Sequence, residues 1–268
     1  MIYDNPGYRK HEKGIVKSQQ VRGQGWSLRT IGETAYITPD DHPMKAYFMR
    51  RVDDNLDYYN QEYSTNDKAN KLGWIGPILY FNDGAITPPW MDDFVTFAVG
   101  HMAELGFEKA KPFLEFKSKY PVGRMIDDTF CWLFASTYRM NIAPSKPDYL
   151  SGIFYETFAE TYEPTLSWRE NPTKDFYQEV MSLECNSQEM ITLLKEKDVL
   201  HYGVQGEMMG YSMDIEHGYP VILGTALAYA VDSGIPGAKA AWERFQNRSK
   251  KPDFNNGGSY KWTILPRK

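Results

Sequence analysis

Apolar residues recur at helical spacing in two consecutive runs between residues 19 and 63. Pro39 ends the first run, 19–37, and Pro43 suits the first turn of the second helix, 44–63. The second run carries an apolar stripe along one side, formed by Tyr47, Phe48, Val52, Leu56 and Tyr59. The pattern therefore predicts a helical hairpin with a tight connection.

The same order of an apolar helix, a short turn and an amphipathic helix recurs along the chain. It is seen at 88–119 and 217–247, and a weaker version spans 124–162 after a break at 121–123. Helices are predicted over 90–105, 107–119, 124–140, 149–162, 173–182, 188–197, 220–232 and 238–247. Residues 64–87 show little periodicity and are predicted to form a long loop, with a turn at Asn82-Asp83-Gly84.

Pairing of apolar inner helices with amphipathic outer ones predicts an all-α fold. Its helical hairpins would form an α/α toroid, here incomplete or an open arc, because four hairpins are fewer than a full ring of six. We expect an extended arm at 1–18, one helical-hairpin domain at 19–251, and a short extended C-terminal strap at 252–268.

One face of the first helix combines charge with an aromatic ring. Arg22, Trp26, Arg29 and Glu33 lie at offsets 0, 4, 7 and 11, which places them on one side of an α-helix. The arginines are candidates to bind a carboxylate, sulfate or phosphate, and Trp26 to stack on a sugar ring. A salt-bridged layer between helices, with Trp26 in the core, is the structural alternative. Three glycines in this helix predict close approach of a neighbouring helix or of a ligand: Gly23, Gly25 and Gly32.

Two further segments repeat these offsets. Trp90, Phe94, Phe97 and His101 form an aromatic version, and Asp128, Trp132, Ala135 and Arg139 form a charged one. Asp93 and Asp128 are candidates for acid or base roles. Helix capping is the alternative for both aspartate pairs, Asp92-Asp93 and Asp127-Asp128, because carboxylates are favoured in a first helical turn. His101 is equally a candidate for a core histidine with satisfied hydrogen bonds.

A fourth group of polar residues precedes the apolar helix 220–232. It contains His201, Tyr202, Tyr211, Asp214, Glu216, His217 and Tyr219. Ordinary loop polarity and a helix cap are the alternatives to a catalytic role. Metal binding by His201, Asp214 and His217 follows no known ligand spacing, so we predict no metal site.

Composition narrows the function classes. The net charge of −5 argues against binding nucleic acid through a broad basic surface. No phosphate-binding loop, dinucleotide fingerprint, nucleophile elbow or HExxH motif occurs, and we expect no cofactor. Cys131 is predicted to be a buried thiol, with a disulfide to Cys185 as the alternative.

Targeting signals are equally sparse. No membrane-spanning segment and no signal peptide are apparent, so we expect a cytoplasmic or virion-associated protein, or a fragment of a secreted one.

The segment from Arg22, Trp26 and Arg29 to Asp41 and Pro43 resembles the helical-hairpin domains of polysaccharide lyases and related glycan-processing α/α toroids. So do residues 218–245 together with 262–267. The resemblance is architectural. It implies a cleft lined by the helices 19–37, 88–105, 124–140 and 217–232.

This resemblance implies binding or cleavage of a polysaccharide or oligosaccharide. β-Elimination of a uronate polymer is the first choice, with Arg29 or Arg124 holding the carboxylate and His217 or Tyr219 as base. Hydrolysis by Asp93 and Asp128 is the second. Substrate contacts are expected from Arg22, Trp26, Trp90, Trp132 and His101. A non-enzymatic structural or adaptor module, bound to other chains of an assembly such as a virion or cell-surface complex, is the alternative.

Overall fold

The structure, a computed structural model, describes residues 9–16, 20–81, 84–167, 174–196, 206–208, 219–249 and 264–267. Within these ranges the chain is predominantly helical, as predicted. The ten α-helices are α1 Val21–Ile37, α2 Lys45–Tyr59, α3 Pro89–Glu104, α4 Ala110–Ile126, α5 Lys146–Leu150, α6 Phe158–Ser167, α7 Lys174–Ser182, α8 Gln188–Glu196, α9 Tyr219–Asp232 and α10 Ala238–Gln246. No helix among the described residues is long and apolar enough to cross a membrane.

Three of the helices, α1, α3 and α9, run parallel to one another, with α3 in the middle. At their N-terminal ends Arg22 of α1 meets Trp90 of α3, which stacks on Tyr219 of α9. At the other end His101 of α3 contacts Glu33 of α1 and Tyr229 of α9. Contacts between like ends therefore establish the parallel arrangement.

The remaining long helices back this layer. α2 packs on α1, α4 packs on α3 and α9, and α10 packs on α9 and α4. Each parallel helix thus forms a hairpin with its successor in the chain. The predicted hairpins at 19–63, 88–119 and 217–247 correspond to these pairs over their described residues.

The predicted break at 121–123 and the predicted helix over 124–140 are both wrong. α4 continues through Pro121 to Ile126, and the following residues form turns and a short 3-10 helix, Trp132–Phe134. All residues from 130 to 137 except Trp132 are buried. The aromatic-rich composition of this segment therefore reflects burial on every side rather than an amphipathic helix.

A small antiparallel sheet lies beside the helices. Its strands are β1 Leu79–Phe81, β2 Gly84–Thr87 and β3 Met140–Ala143, in the order β1-β2-β3. The sheet was not predicted. β1 and β2 form a hairpin in the register Phe81↔Gly84, inside the segment expected to be a loop. The predicted turn residues Asn82 and Asp83 lie outside the described residues.

A separate hydrophobic cluster forms between this sheet and α6, α7 and α8. The prediction of one helix over 149–162 is wrong, because α5 and α6 occupy this region with an irregular connection between them. The prediction of a free Cys131 thiol is also wrong. Cys131 forms a disulfide with Cys185, 54 residues along the chain, with their Cα atoms 5.3 Å apart.

Several sequence predictions concern residues outside the described ranges. Most of the predicted arm, residues 1–8 and 17–18, belongs to this group. Most of the predicted strap belongs to it as well. The same holds for every member of the predicted polar group before α9 except Tyr219, namely His201, Tyr202, Tyr211, Asp214, Glu216 and His217.

Candidate functional site

The polar face of α1 and the aromatic face of α3 pack against each other in strict register. Each residue of the first set lies beside a partner 68 positions later, because the parallel helices share the spacing 0, 4, 7, 11. We call this the α1–α3 band, and it consists of Arg22, Trp26, Arg29, Glu33, Trp90, Phe94, Phe97 and His101. Phe94 is buried and the other seven side chains are partly exposed.

Arginines lie over tryptophan rings along the band. The Arg22 guanidinium lies 5.1 Å from the centre of a ring of Trp90, and that of Arg29 lies 4.6 Å from a ring of Trp26. Trp26 also contacts Phe94, with ring centres 5.3 Å apart. Such pairs combine cation–π attraction with burial of the aliphatic part of arginine. These contacts hold both tryptophans in place between α1 and α3.

A polar network closes the C-terminal end of the band. Glu33 lies 3.4 Å from Arg29 and 3.6 Å from Nε2 of His101. His101 Nδ1 lies 3.4 Å from the Tyr229 hydroxyl and 3.4 Å from Glu104. The Tyr229 hydroxyl donates to Glu104 at 3.0 Å.

Burial sets the protonation states in this network. It lowers the pKa of His101, although Glu33 opposes the shift, so the imidazole favours its neutral form. Burial also raises the pKa of Tyr229 to about 12, so its hydroxyl keeps its proton. The network thus places a neutral imidazole beside a protonated phenol, whose hydroxyl donates its hydrogen bond to Glu104.

An aromatic stack closes the N-terminal end. Tyr219, a predicted base, stacks on Trp90 with ring centres 4.9 Å apart and an angle of 20° between the planes. Tyr138 lies against both rings, at 6.5 Å from Trp90 and 5.8 Å from Tyr219. Arg139 lies over Tyr138 at 5.5 Å. Tyr219 therefore lies in the stack, at the opposite end of the band from His101.

Two of the predicted catalytic residues form a buried ion pair instead. Asp93 and Arg124 are 1% and 0% exposed, and the Arg124 guanidinium donates to the Asp93 carboxylate. It also donates to the carbonyl oxygens of Ala135 and Tyr120. Burial raises the pKa of Asp93 to about 6 despite the lowering effect of Arg124. Neither residue is available to a substrate, so we correct their assignment to an internal structural role.

The neighbouring Asp92 is used in the same way. Its carboxylate accepts from Lys117, which is also fully buried, and from the backbone N–H of Ile75 at 2.9 Å. Lys117 additionally donates to the carbonyl oxygen of Gly73 at 2.7 Å. The two aspartates of α3 thus pair with cations of α4. The alternative interpretation had expected them only to cap their own helix.

Asp128 and Trp132 lie away from the band. Asp127 and Asp128 follow the last turn of α4 rather than starting a helix, so the expectation of capping is wrong for this pair. Both line a cavity of about 550 Å³ with Trp132, the Cys131–Cys185 disulfide and Arg244. With Asp93 buried, Asp93 and Asp128 do not form the carboxylate pair that hydrolysis requires.

Glu104, Tyr138 and Tyr229 were not among the predicted site residues. Tyr229 contacts Glu104 across 125 residues and Tyr138 contacts Tyr219 across 81, so these pairs leave no signal in the local pattern, whereas the spacing of three between His101 and Glu104 could have indicated that contact. His217 lies outside the described residues. Among the residues that the structure describes, no group of three or more His, Cys, Asp or Glu side chains is arranged to hold a metal ion. No known protein family, curated protein or solved structure shows a significant similarity to this chain.

Proposed function

We propose that the chain is a glycan-binding helical protein and that the α1–α3 band is its binding face. The proposal takes the parallel helices α1, α3 and α9 as the inner layer of an open α/α arc. Each is backed by the next helix in the chain, as hairpins of such arcs are. In this arrangement the band lies on the layer that would line the cleft.

The observation that carries the proposal is the pair of partly exposed tryptophans, each with an arginine on its ring. Aromatic rings offer large apolar faces for the C–H groups of a sugar. A guanidinium held over a ring by cation–π attraction still carries N–H groups that can donate to a carboxylate or sulfate. The band thus suits a sugar that carries an anionic group, such as a uronate.

For cleavage by β-elimination, the network at the end of the band supplies the required groups. His101 in its neutral form accepts the proton next to the uronate carboxylate, and Arg29 stabilises the negative charge that develops. The bond between the ring carbon and the departing oxygen breaks as the ring double bond forms, and the Tyr229 hydroxyl gives its proton to that oxygen. The protonated His101, 3.4 Å away, then passes the abstracted proton to the Tyr229 oxygen. We therefore place the candidate base at His101 rather than at Tyr219 or His217.

Calorimetry with oligosaccharides tests the binding step. We expect uronate oligosaccharides to bind more tightly than neutral ones, and Trp26→Leu or Arg29→Gln to weaken binding by about tenfold or more, as loss of a stacked or ion-paired contact does. Trp242→Leu in α10 is the matched control and should bind like the unmodified protein. If none of the oligosaccharides binds, or if all three variants bind them with the same affinity, the proposal fails.

Absorbance of an unsaturated uronate product tests the catalytic step separately. His101→Gln should abolish product formation while leaving binding within about threefold, because a neutral imidazole contributes more to proton transfer than to affinity. Binding without product in the unmodified protein would restrict the function to glycan recognition.

A non-enzymatic structural module is the second candidate function. It is favoured by the mutual pairing of the band's charges, in which Glu33 contacts both Arg29 and His101. On this hypothesis the band is a packing layer. Arg29→Gln would then reduce the free energy of unfolding without any accompanying change in sugar binding.

A further inference from the structure

A strongly basic cavity of about 700 Å³ lies between residues 9–14 and α2. Four arginine or lysine side chains line it against one carboxylate, that of Asp54. The whole chain has a net charge of −5, so this local excess of positive charge is opposite in sign to the net charge of the protein. The basic lining residues are Arg9, Lys13, Arg50 and Arg51.

Helical spacing explains the α2 side of the cavity. Tyr47, Arg50, Arg51 and Asp54 lie at offsets 0, 3, 4 and 7, which puts them on one face of the helix. The Arg51 guanidinium lies 5.3 Å from the centre of the Tyr47 ring and 2.9 Å from Asp54. Arg51 is only 9% exposed, so these contacts hold a largely buried charge at the cavity wall.

The opposite wall is fastened to α2 by Asn55, which is fully buried. Its amide donates to the carbonyl oxygens of Gly14 and Arg51, at 3.3 and 2.7 Å, and its oxygen accepts from the N–H of Val16 at 2.7 Å. Gly14 has a φ of 64°, which favours glycine, and its carbonyl also accepts from Arg9 at 3.1 Å. The basic side chains of this segment are therefore held beside those of the helix.

Two of the cations have no partner among the residues that the structure describes. No described residue forms an ion pair or a hydrogen bond with the side chain of Arg50 or Lys13. Like charges held close together raise the free energy of the folded state, and a bound anion lowers it. Arginine donors also match the geometry of tetrahedral oxyanions.

We infer that this cavity binds a ligand bearing a phosphate or sulfate group, held by Arg50, Lys13 and the buried Arg51. Its volume falls within the range of small-molecule sites, about 300–1,000 Å³. The cavity shares no residue with the α1–α3 band, so the inference does not depend on the proposed function.

Titration calorimetry of the full chain with inorganic pyrophosphate and with sulfate tests the inference. We expect at least one of the two to bind, and to bind more weakly when the salt concentration rises from about 50 to 300 mM, because salt screens ionic contacts. The preference between them identifies phosphate or sulfate as the recognised group.

The double variant Arg50→Gln/Lys13→Gln should weaken binding by about tenfold or more, since it removes two charged donors. Neither residue pairs with any described side chain, so the variant is expected to fold, and circular dichroism verifies this. Lys239→Gln, on the exposed face of α10, removes a like charge elsewhere and should change affinity by less than about twofold. If neither anion binds, or if the double variant and Lys239→Gln bind equally well, the inference is overturned.

Discussion

His101 occupies a point where side chains from three helices converge. Glu33 comes from α1, Glu104 from α3 itself, and Tyr229 from α9. The sequence suggested that His101 shares a face with aromatic residues, and this is confirmed by its stacking on Phe97. Its partners Glu33 and Tyr229 were not predictable, because the parallel packing that brings them to His101 depends on contacts across the chain.

His101 should make stability depend on pH. Burial holds its pKa in the folded protein below the ordinary value of 6.5, so the unfolded chain binds the proton more readily. The contribution of neutral His101 to the free energy of unfolding is thus fully present above about pH 6.5. It is lost as the pH falls through that value towards the pKa of the folded protein. Urea denaturation at pH 8 and pH 5 should show a smaller loss of stability on acidification in His101→Gln than in the unmodified protein.

Glu33→Gln provides the control for this effect. Glu33 raises the pKa of His101, so its removal should lower that pKa further, as observed by NMR titration of the imidazole. Equal pH dependence of the unmodified protein and His101→Gln would contradict the prediction.

At the scale of elements, glycine positions decide how closely the helices approach. A Cβ atom at Gly25 would lie 2.9 Å from the carbonyl oxygen of Phe94, and one at Gly32 would lie 2.9 Å from the Met102 side chain. The prediction of close approach is confirmed for these two glycines. At Gly23 no neighbouring helix among the described residues comes close, because a Cβ would meet only Gln20, at 3.6 Å.

Alanine substitutions in α1 should therefore have opposite signs. Gly25→Ala should destabilise the protein by about 1–3 kcal/mol, because the added methyl group meets rigid backbone. Gly23→Ala should stabilise it by up to about 1 kcal/mol, because alanine favours the helix and finds room. Chemical denaturation measures both, and a loss of stability in both variants would contradict the proposed packing.

Two internal prolines lie where predicted helix boundaries were wrong. Pro121 lies inside α4, where a break was predicted at 121–123, and Pro164 lies inside α6, which continues beyond the predicted helix end at 162. An internal proline removes a helical hydrogen bond and usually interrupts a helix. Val122, Arg124 and Met125 follow Pro121 in α4, and all three are buried. Burial of these residues therefore offsets the loss of the hydrogen bond that the proline removes, which the sequence pattern alone could not show.

On the scale of the whole molecule, the described part of the chain packs around three hydrophobic clusters. Two lie among the helices α1 to α4, α9 and α10, and the third lies around the sheet and α6 to α8. The helices α1 to α4, α9 and α10 were largely predictable because their periodicity and turn residues are strong. Around the sheet the result is mixed. The predictions of helices at 173–182 and 188–197 are confirmed by α7 and α8, whereas the strands, α5 and α6 were missed, since the strands are short and their pairing depends on distant contacts. The Cys131–Cys185 disulfide belongs to this region around the sheet.

Loss of the disulfide should destabilise the protein by about 2–4 kcal/mol, because it closes a chain separation of 54 residues in the unfolded state. Thermal unfolding with and without a reductant measures the effect. The double variant Cys131→Ala/Cys185→Ala should resemble the reduced protein and should not respond to the reductant. A response of the double variant, or none from the unmodified protein, would contradict the prediction.

The parallel register of α1 and α3 bears on how the chain folds. Antiparallel helices make contacts that are local in sequence, but the band joins residues 68 positions apart, and Tyr229 meets His101 across 128. Each such contact closes a long loop before it lowers the free energy, and high contact order slows folding. This helical protein should therefore fold more slowly than an up-and-down bundle, at a rate closer to that of mixed or all-β domains.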